Sequence, residues 1–203
     1  MKKRKVTSGL TVSLDGYGAG HNQSFEKPFG DNFDPELLDR WMFSEPEKHN
    51  HKKEIDAILD AGAFILGSNM FGPQDRRGKS DWKGWWGNNP PYHAPVFVLT
   101  HQEREPIEME GGTTFHFVTD GIQSALRRAE EAAGERDVKI MGGANTINQY
   151  LNAGLIDELW LHIVPVTIGS GSRLFEGVKN LQLEPVGVSG TSVVTHIRYN
   201  VLK

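Results

Sequence analysis

The segment Val138-Lys139-Ile140-Met141-Gly142-Gly143-Ala144-Asn145-Thr146-Ile147-Asn148-Gln149-Tyr150-Leu151 decides the fold that we expect for this chain. A short run of β-forming residues ends in two glycines, and Ile147, Tyr150 and Leu151 then fall on one helical face. This pattern predicts a strand, a glycine turn and a helix. Such a turn lets a ligand approach bare backbone, and the start of the helix offers unpaired N–H groups and a partial positive charge. We interpret the segment as a candidate diphosphate-binding site, with an ordinary tight turn as the alternative.

The size and composition of the chain are those of one ordinary globular domain. Its 203 residues are enough to form a hydrophobic core, and we expect a single domain over residues 1–203. Hydrophobic residues make up 37% and charged residues 24% of the chain, with a formal net charge of -4. That charge provides no electrostatic attraction for nucleic acid or an anionic membrane. We therefore expect a small-molecule substrate as the binding partner, and neither nucleic acid nor membrane.

The chain contains no cysteine. Disulfides, cysteine-ligated zinc, thiol nucleophiles and iron–sulfur clusters are therefore excluded, and any redox chemistry must belong to a bound cofactor. His49-Asn50-His51 contains a histidine pair, but residues two apart on a helix point in different directions. We predict no metal site there, and we expect His49, His51, Lys52 and Lys53 to face water.

We interpret the basic residues at the N-terminus as a solvated lead-in to a strand and not as the start of a signal peptide. Met1-Lys2-Lys3-Arg4-Lys5 is followed by a segment with polar residues at positions 7, 8, 11, 13 and 15, where a signal peptide would be apolar. No apolar run approaches the ~20 residues that span a bilayer. The sequence therefore predicts a cytoplasmic protein.

Strand and helix patterns alternate over the first two thirds of the chain. Strand patterns occupy residues 5–14, 63–66, 95–100, 114–118 and 138–141, and helical patterns begin at Asp34 and Glu47. The last third instead has period-two alternation at 158–166 and 191–203, with a further strand at 181–188. This order predicts an α/β fold with a mixed, mostly parallel central sheet, helices on both faces and an antiparallel C-terminal hairpin.

Two segments only superficially resemble nucleotide-binding motifs. In Asp15-Gly16-Tyr17-Gly18-Ala19-Gly20, the third glycine of a dinucleotide fingerprint would fall at His21, and no apolar-periodic helix follows. Gly78-Lys79-Ser80 resembles the end of a P-loop, but the first glycine of that motif would fall at Pro73. We interpret the three-glycine segment as a mobile loop over a site or as a plain connector, and we reject the P-loop.

The polar segment from residue 73 to residue 95 is long for a loop inside a compact domain. It contains Trp82, Trp85 and Trp86, three of the five tryptophans in the chain. These rings could stack on a heterocycle or wall off a pocket. Packing of the loop onto its own domain, or onto a second subunit, is the alternative.

Motifs spread along the chain resemble a known family. The N-terminal Ser13-Leu14-Asp15-Gly16 matches the first strand of the reductase domain of bacterial riboflavin-biosynthesis enzymes and its dihydrofolate-reductase-like relatives. The C-terminal motifs that resemble this family in order and spacing are Gly142-Gly143-Ala144, Gly154-Leu155-Ile156-Asp157-Glu158-Leu159, Pro165-Val166 and Gly169-Ser170-Gly171-Ser172-Arg173-Leu174-Phe175. The resemblance covers nearly the whole chain, without the cysteine-containing deaminase motif of the bifunctional riboflavin enzymes.

The resemblance implies a dihydrofolate-reductase-like fold with NADPH bound across one edge of the sheet. By position, the diphosphate would be held at the helix start by Gly142, Gly143, Ala144, Asn145 and Thr146. The other cofactor contacts that the family implies are Gly67, Ser68, Asn69 and Met70, with Thr100 and His101 toward the adenosine and Thr11, Gly18, Ala19 and Gly20 beside the nicotinamide. Where the family often has arginine after the junction glycine, this chain has Ser68. The residues that could supply the missing charge for NADPH are Arg76, Arg77, Lys79, His101 and Arg104.

The expected reaction is hydride transfer to a polarised C=N or C=O bond, and the product also needs a proton. Asp15 is the first candidate for orienting the substrate or relaying that proton, and the alternative role is a turn aspartate that binds backbone N–H groups. Glu36 and Asp39 lie where dihydrofolate reductases carry an acid that binds the pterin. The leading hypothesis is a reductase of the 5-amino-6-(5-phosphoribosylamino)uracil type. Dihydrofolate reduction and a non-catalytic ligand-binding module are the alternatives, and the last strands predict a homodimer.

Overall fold

The computed structural model describes residues 4–31 and 33–203. The strands are β1 (Val6–Ser13), β2 (Tyr17–Ala19), β3 (Ala63–Gly67), β4 (Pro95–Leu99), β5 (Ile107–Glu108), β6 (Thr114–Val118), β7 (Val138–Gly142), β8 (Glu158–Val164), β9 (Ser172–Arg173), β10 (Gln182–Gly190) and β11 (Thr195–Leu202). The helices are α1 (Pro35–Phe43), α2 (Glu47–Asn50), α3 (Lys52–Leu59), α4 (Ser68–Phe71), α5 (Ile122–Ala133) and α6 (Ala144–Asn152), with a 3-10 turn at Glu110–Gly112. None of the described helices is long and apolar enough to cross a membrane.

One nine-stranded sheet organises the described part of the chain, in the order β10-β11-β8-β1-β7-β3-β4-β6-β5. The inner strands from β8 to β6 pair in parallel. The antiparallel pairs are β10 with β11, β11 with β8, and β5 with β6. This topology confirms the mostly parallel sheet and the antiparallel C-terminal hairpin that the sequence predicts.

Side chains alternate between two cores on opposite faces of the sheet. In β3, Ala63 and Ile65 join the core that also contains the apolar faces of α5 and α6. Phe64 and Leu66 point to the opposite face and pack near the end of α3. Trp41 of α1 is fully buried there in a neighbouring cluster. Because β3 is apolar on both faces, it can occupy the middle of a sheet that is covered by helices on both sides.

The parallel strands end at one edge of the sheet, and the turns that follow them meet there. β3 leads through Gly67 directly into α4, and β7 leads through the Gly142-Gly143 turn into α6. The end of β4 at Leu99 lies beside Gly67. This edge is where open α/β sheets bind ligands, because several strand–helix turns converge on one crevice.

The prediction of one helix with exposed histidines after residue 47 is wrong. The helix breaks into α2 and α3 at His51, whose side chain is only 2% exposed and whose ring nitrogens contact Thr191 and His196. His49, Lys52 and Lys53 are exposed, as expected. The buried imidazole is therefore held by long-range contacts that the local sequence pattern does not reveal.

Candidate functional site

A cavity of about 740 Å³ lies at the edge where the strand–helix turns converge. Its volume is in the range of small-molecule and cofactor pockets. Most of the predicted cofactor contacts line it: Gly18, Ala19, Gly67, Ser68, Asn69, Met70, Thr100, His101, Gly143, Ala144, Asn145 and Thr146. The structure therefore brings together residues from the three-glycine loop, the β3–α4 turn, the end of β4 and the β7–α6 turn.

The start of α6 presents unoccupied backbone donors to this cavity. Gly143 is the N-cap residue, and no side chain caps the helix. The next residues, Ala144, Asn145 and Thr146, line the cavity, and the N–H groups of a first helical turn have no partner within their own helix. A Cβ atom added at Gly143 would meet no described atom within 4 Å. The turn therefore leaves open space in front of amides that can bind an anion.

The second turn approaches the first so closely that only glycine fits. A Cβ atom at Gly67 would overlap Oγ1 of Thr146, which belongs to the first turn of α6. The β3–α4 and β7–α6 turns thus form one continuous wall of the cavity. Neither glycine pattern alone predicts that the two turns are in contact. Three predicted contacts do not line the cavity: Thr11 is buried in β1, Gly20 lies against the backbone of Asp31, and Gly142 packs against Leu10 behind the turn.

Arg77 carries the positive charge nearest to Ser68. Its Nη1 donates to Oγ of Ser68 at 3.1 Å and also to Oδ1 of Asn69, and the side chain lines the cavity. Arg104 has a different role, because its guanidinium donates to the backbone oxygens of Arg77, Ser80 and Trp82. Arg104 therefore stabilises the loop of residues 73–95, whereas Arg77 directs its charge toward the β3–α4 turn.

The tryptophans of the long loop have two different roles: two of them line the cavity and one packs within the domain. Trp85 and Trp86 line the cavity. Trp82 instead packs within the domain, where its Nε1 donates to the backbone oxygen of Phe71 at 3.1 Å. Phe25 stacks on Trp85, with ring centroids 6.1 Å apart and planes 6° apart. Trp85 is thus held by a neighbouring ring, and Trp85 and Trp86 give the cavity an aromatic lining.

Asp39 is the acidic group of the cavity. It lies on α1 one turn before Phe43, so both side chains line the same space. Burial raises the pKa of Asp39 to about 7. Within the described residues, no hydrogen bond or ion pair engages this carboxyl group. A half-buried carboxyl group without a partner among the described residues, which can hold a proton at neutral pH, is suited to contacting a ligand.

The other two predicted catalytic residues do not line the cavity. Glu36 is exposed at the start of α1. Asp15 accepts hydrogen bonds from the backbone N–H groups of Ile168 and Gly169, at 3.1 Å and 2.8 Å, and from Oγ of Ser13 at 2.6 Å. Burial would raise the pKa of Asp15, but these hydrogen bonds outweigh it and hold the pKa below its ordinary value. The geometry favours the turn role for Asp15, since a carboxylate that is already ionised is a poor proton donor.

Replacing Asp15 by alanine should loosen the loop that contains Ile168 and Gly169. Two backbone donors would lose a charged acceptor, and we expect the free energy of unfolding to fall by about 2 kcal/mol. Urea denaturation measures this change. Asp15→Asn, which keeps one acceptor oxygen, should lie between the wild type and Asp15→Ala. Unchanged stability of Asp15→Ala would contradict the turn role and make this carboxylate available for a ligand.

Some residues that line the cavity were not predicted from the sequence. Those beyond the cofactor contacts include Gln23, Phe29, Phe43, Thr119, Gln149 and Ser172. Most lie in loops or at element ends, where neither a periodic pattern nor a short motif marks them. The spacing of Asp39 and Phe43 by four residues on one predicted helix is the one local pattern that could have paired an acid with an aromatic side chain.

Comparisons with known proteins identify similar sequences and structures. The family model of the RibD C-terminal domain matches residues 4–197. The uncharacterized protein YyaP of Bacillus subtilis strain 168 is 25% identical over 185 residues, which cover 88% of this chain and 84% of that protein.

Two solved structures are similar in fold. A putative riboflavin biosynthesis protein from Shewanella sp. PV-4 has a TM-score of 0.65 at 22% identity, with 98% of this chain and 99% of that chain covered. A dihydrofolate reductase from Enterococcus faecalis complexed with NADP(H) has a TM-score of 0.59 at 15% identity, with 98% and 97% covered. These similarities confirm the predicted dihydrofolate-reductase-like fold. With its family model matched over almost the whole length, the chain belongs to the RibD C-terminal domain family.

Proposed function

We propose that the protein is an NADPH-dependent reductase of a small nitrogen heterocycle. The observation that carries this proposal is that one cavity contains both an uncapped helix start and an unpartnered carboxyl group. The helix start at Gly143 suits a diphosphate, and Asp39 on α1 suits the ring of a substrate. Membership of the RibD C-terminal domain family supports the same class of reaction.

The residues of the cavity have separable tasks in this reaction. NADPH, when bound, supplies a hydride to the carbon of a C=N or C=O bond. Trp85 and Trp86 hold the ring flat and exclude water from it. The protonated carboxyl group of Asp39 donates a hydrogen bond to the ring and supplies the proton that the nitrogen or oxygen of the reduced bond requires. Solvent then returns a proton to Asp39.

The charges that line the cavity bear on the choice of substrate. The described residues that line the cavity include one arginine, Arg77, and one histidine, His101. Both lie on the side of the proposed cofactor. The substrate side, formed by Gln23, Phe29, Asp39, Phe43, Trp85 and Trp86, offers no cation. A phosphoribosyl substrate would bring a phosphate that proteins commonly bind with arginine, lysine or a helix N-terminus. The family favours 5-amino-6-(5-phosphoribosylamino)uracil, and the uncharged lining favours dihydrofolate as the second candidate.

A panel assay of NADPH oxidation distinguishes these candidates. Purified protein is incubated with NADPH and either dihydrofolate or the ribosylaminopyrimidine intermediate of riboflavin synthesis. Oxidation with one substrate and not the other assigns the reaction. If neither substrate is reduced but NADPH still raises the melting temperature, the protein is a ligand-binding module. No shift with NADPH, NADH or a flavin would overturn the nicotinamide proposal altogether.

We expect Arg77 to set the preference for NADPH over NADH. Replacing Arg77 by glutamine should raise the KM for NADPH roughly tenfold to a hundredfold, as for the loss of one charged hydrogen-bonded pair, and should leave the KM for NADH unchanged. Lys79→Gln is the matched control, because Lys79 is an exposed cation in the same loop. Equal effects on both cofactors, or a larger effect of Lys79→Gln, would show that Arg77 does not contact a 2′-phosphate.

The homodimer remains a proposal. β10 forms one edge of the sheet, and Val186, Val188 and Leu202 expose apolar side chains on the hairpin that it makes with β11. An edge strand with exposed apolar residues is a surface on which a second copy could pack.

A further inference from the structure

A buried row of histidines lies outside the cavity, between the C-terminal hairpin and the helices α1 to α3. His196 of β11 sits directly opposite His162 of β8, and Ser189 of β10 sits opposite His196 on the other side. His51, at the junction of α2 and α3, reaches down to this row. The three imidazoles are between 2% and 4% exposed, and the ring of Trp41 packs against all of them. None of these residues lines the cavity described above.

Two of the histidines and one carboxylate lie together in one cluster. Nε2 of His196 lies 2.9 Å from Nδ1 of His51. Glu54 follows His51 by three residues, so it lies on the same side of the chain, and the ligand atoms of His51, Glu54 and His196 all lie within 4.8 Å of one another. Two imidazole nitrogens and a carboxylate are a donor set that divalent first-row transition metals bind in proteins.

The separation of the two nitrogens restricts the coordination geometry. With metal–nitrogen bonds of about 2.1 Å, nitrogens 2.9 Å apart subtend an angle of roughly 90° at the metal. That angle belongs to six-coordinate ions. A tetrahedral zinc ion would need the two nitrogens to move apart by about 0.5 Å, a shift within reach of a side-chain adjustment.

Each of the three side chains also has a polar atom that is hydrogen-bonded to a residue outside the proposed ligand set. Nε2 of His51 lies 3.1 Å from Oγ1 of Thr191, and Nδ1 of His196 lies 2.7 Å from Nδ1 of His162. Oε1 of Glu54 accepts from Oγ of Ser189 at 3.0 Å. In metal sites, such partners fix which imidazole nitrogen carries the proton and how each ligand is oriented.

One tautomer of the row leaves both facing nitrogens free for a metal. His51 then donates from Nε2 to Thr191, His196 donates from Nδ1 to His162, and His162 carries its own proton on Nε2. That Nε2 is a buried atom without a hydrogen-bond partner among the described residues, so it can carry the proton without breaking an existing bond. All three rings stay neutral in this arrangement. Metals bind imidazole in its neutral form, which this arrangement provides.

The carboxylate gives the site its charge and a route to solvent. Glu54 is half-buried, while its partner Ser189 is exposed. The site therefore opens to solvent between α3 and the β10–β11 hairpin, where water can fill the remaining coordination positions. Two neutral imidazoles and one carboxylate leave a net negative charge, which attracts a divalent cation.

We propose that His51, Glu54 and His196 form a binding site for a divalent transition-metal ion. The ion fastens the junction of α2 and α3 to the C-terminal hairpin. Because His51 and His196 are 145 residues apart in sequence, one metal ion would close a very long loop and stabilise the folded chain without touching the cavity.

Binding of Co²⁺ tests this site directly. Tag-free protein, stripped with a chelator, is titrated with Co²⁺, whose visible spectrum reports nitrogen and oxygen ligands. We expect one equivalent to bind and, at about 100-fold excess over the Kd, the melting temperature to rise by roughly 5–10 °C. Glu54→Gln should weaken binding at least tenfold and remove most of this rise. Zn²⁺ and Ni²⁺ should compete with Co²⁺ for the same equivalent.

Two controls keep this test decisive. Asp56→Asn removes an exposed carboxylate from the same helix, outside the cluster, and should bind Co²⁺ like the wild type. The metal-free melting temperature of Glu54→Gln shows whether that variant is folded, and His196→Asn should lose the same equivalent. The proposal is overturned if the wild type binds no Co²⁺, or if Glu54→Gln binds it as tightly as Asp56→Asn does.

Discussion

Replacing Gly143 by aspartate is expected to abolish NADPH binding while the chain stays folded. A Cβ atom at this position meets no described atom within 4 Å, so the protein interior does not resist the new side chain. The side chain projects in front of the first-turn amides of α6, where the diphosphate of the proposed cofactor would lie. There it occupies space and brings a negative charge toward the phosphates. We expect the Kd for NADPH to rise at least ~100-fold, which removes the melting-temperature shift that NADPH causes in the wild type.

The contribution of charge can be separated from that of size at the same position. Gly143→Ser adds a side chain of similar reach without a charge, so its Kd for NADPH should lie between those of the wild type and Gly143→Asp. The melting temperature of each variant without NADPH should stay within about 2 °C of the wild type, since no packing is lost. Calorimetry or fluorescence titration gives the Kd values. If Gly143→Asp bound NADPH with wild-type affinity, the β7–α6 turn would not be the diphosphate site.

That the proposed cofactor contacts would line one cavity could be predicted from the sequence, because most of these residues sit at the ends of apolar strands. β3, β4 and β7 are short apolar runs, and strands of that kind pair in parallel in the middle of a sheet. Once their order along the chain indicates a mostly parallel sheet, their following turns must meet at one edge. The glycines at 67 and 143 are therefore informative together, although each alone is compatible with an ordinary turn.

The substrate side could not be predicted in the same way. Trp85 and Trp86 come from a long loop whose course is set by contacts such as those of Arg104 with backbone oxygens, and no sequence period encodes these contacts. Arg77 was one of several possible cations near Ser68, and only the folded loop shows which of them lies beside that serine.

The prediction that His51 faces water failed for a different reason. The spacing of His49 and His51 correctly indicates that these two side chains do not face each other. It gives no information about partners that are remote in sequence. The contacts of His51 are Thr191 and His196, which the C-terminal hairpin brings to the helix junction. A polar side chain buried by such remote contacts has no local pattern that separates it from a solvated one.

Asp39 is expected to control the pH dependence of the proposed reductase activity. Burial raises its pKa to about 7, so the free enzyme carries the protonated, proton-donating form below that pH. The value of kcat/KM should therefore be constant below about pH 6 and fall about tenfold per pH unit well above 7. Asp39→Asn, which can donate a hydrogen bond but cannot release a proton, should lower kcat roughly 10²–10³-fold and remove this dependence. The measurement is a set of steady-state rates across pH with the substrate that the panel assay selects.

A stability measurement distinguishes this loss of chemistry from a folding defect. Because the pKa of Asp39 is higher in the folded chain than its ordinary value of 3.8, the folded state binds the proton more tightly. The resulting stabilisation is present at low pH and is lost as the pH rises toward 7, where ionised Asp39 becomes buried without a partner. Asp39→Asn should thus melt at a higher temperature than the wild type at about pH 8.5, despite being the slower enzyme. Glu36→Gln, at an exposed position of the same helix, should change neither the rate nor the melting temperature. A wild-type pH profile in Asp39→Asn would place the proton donor elsewhere in the cavity.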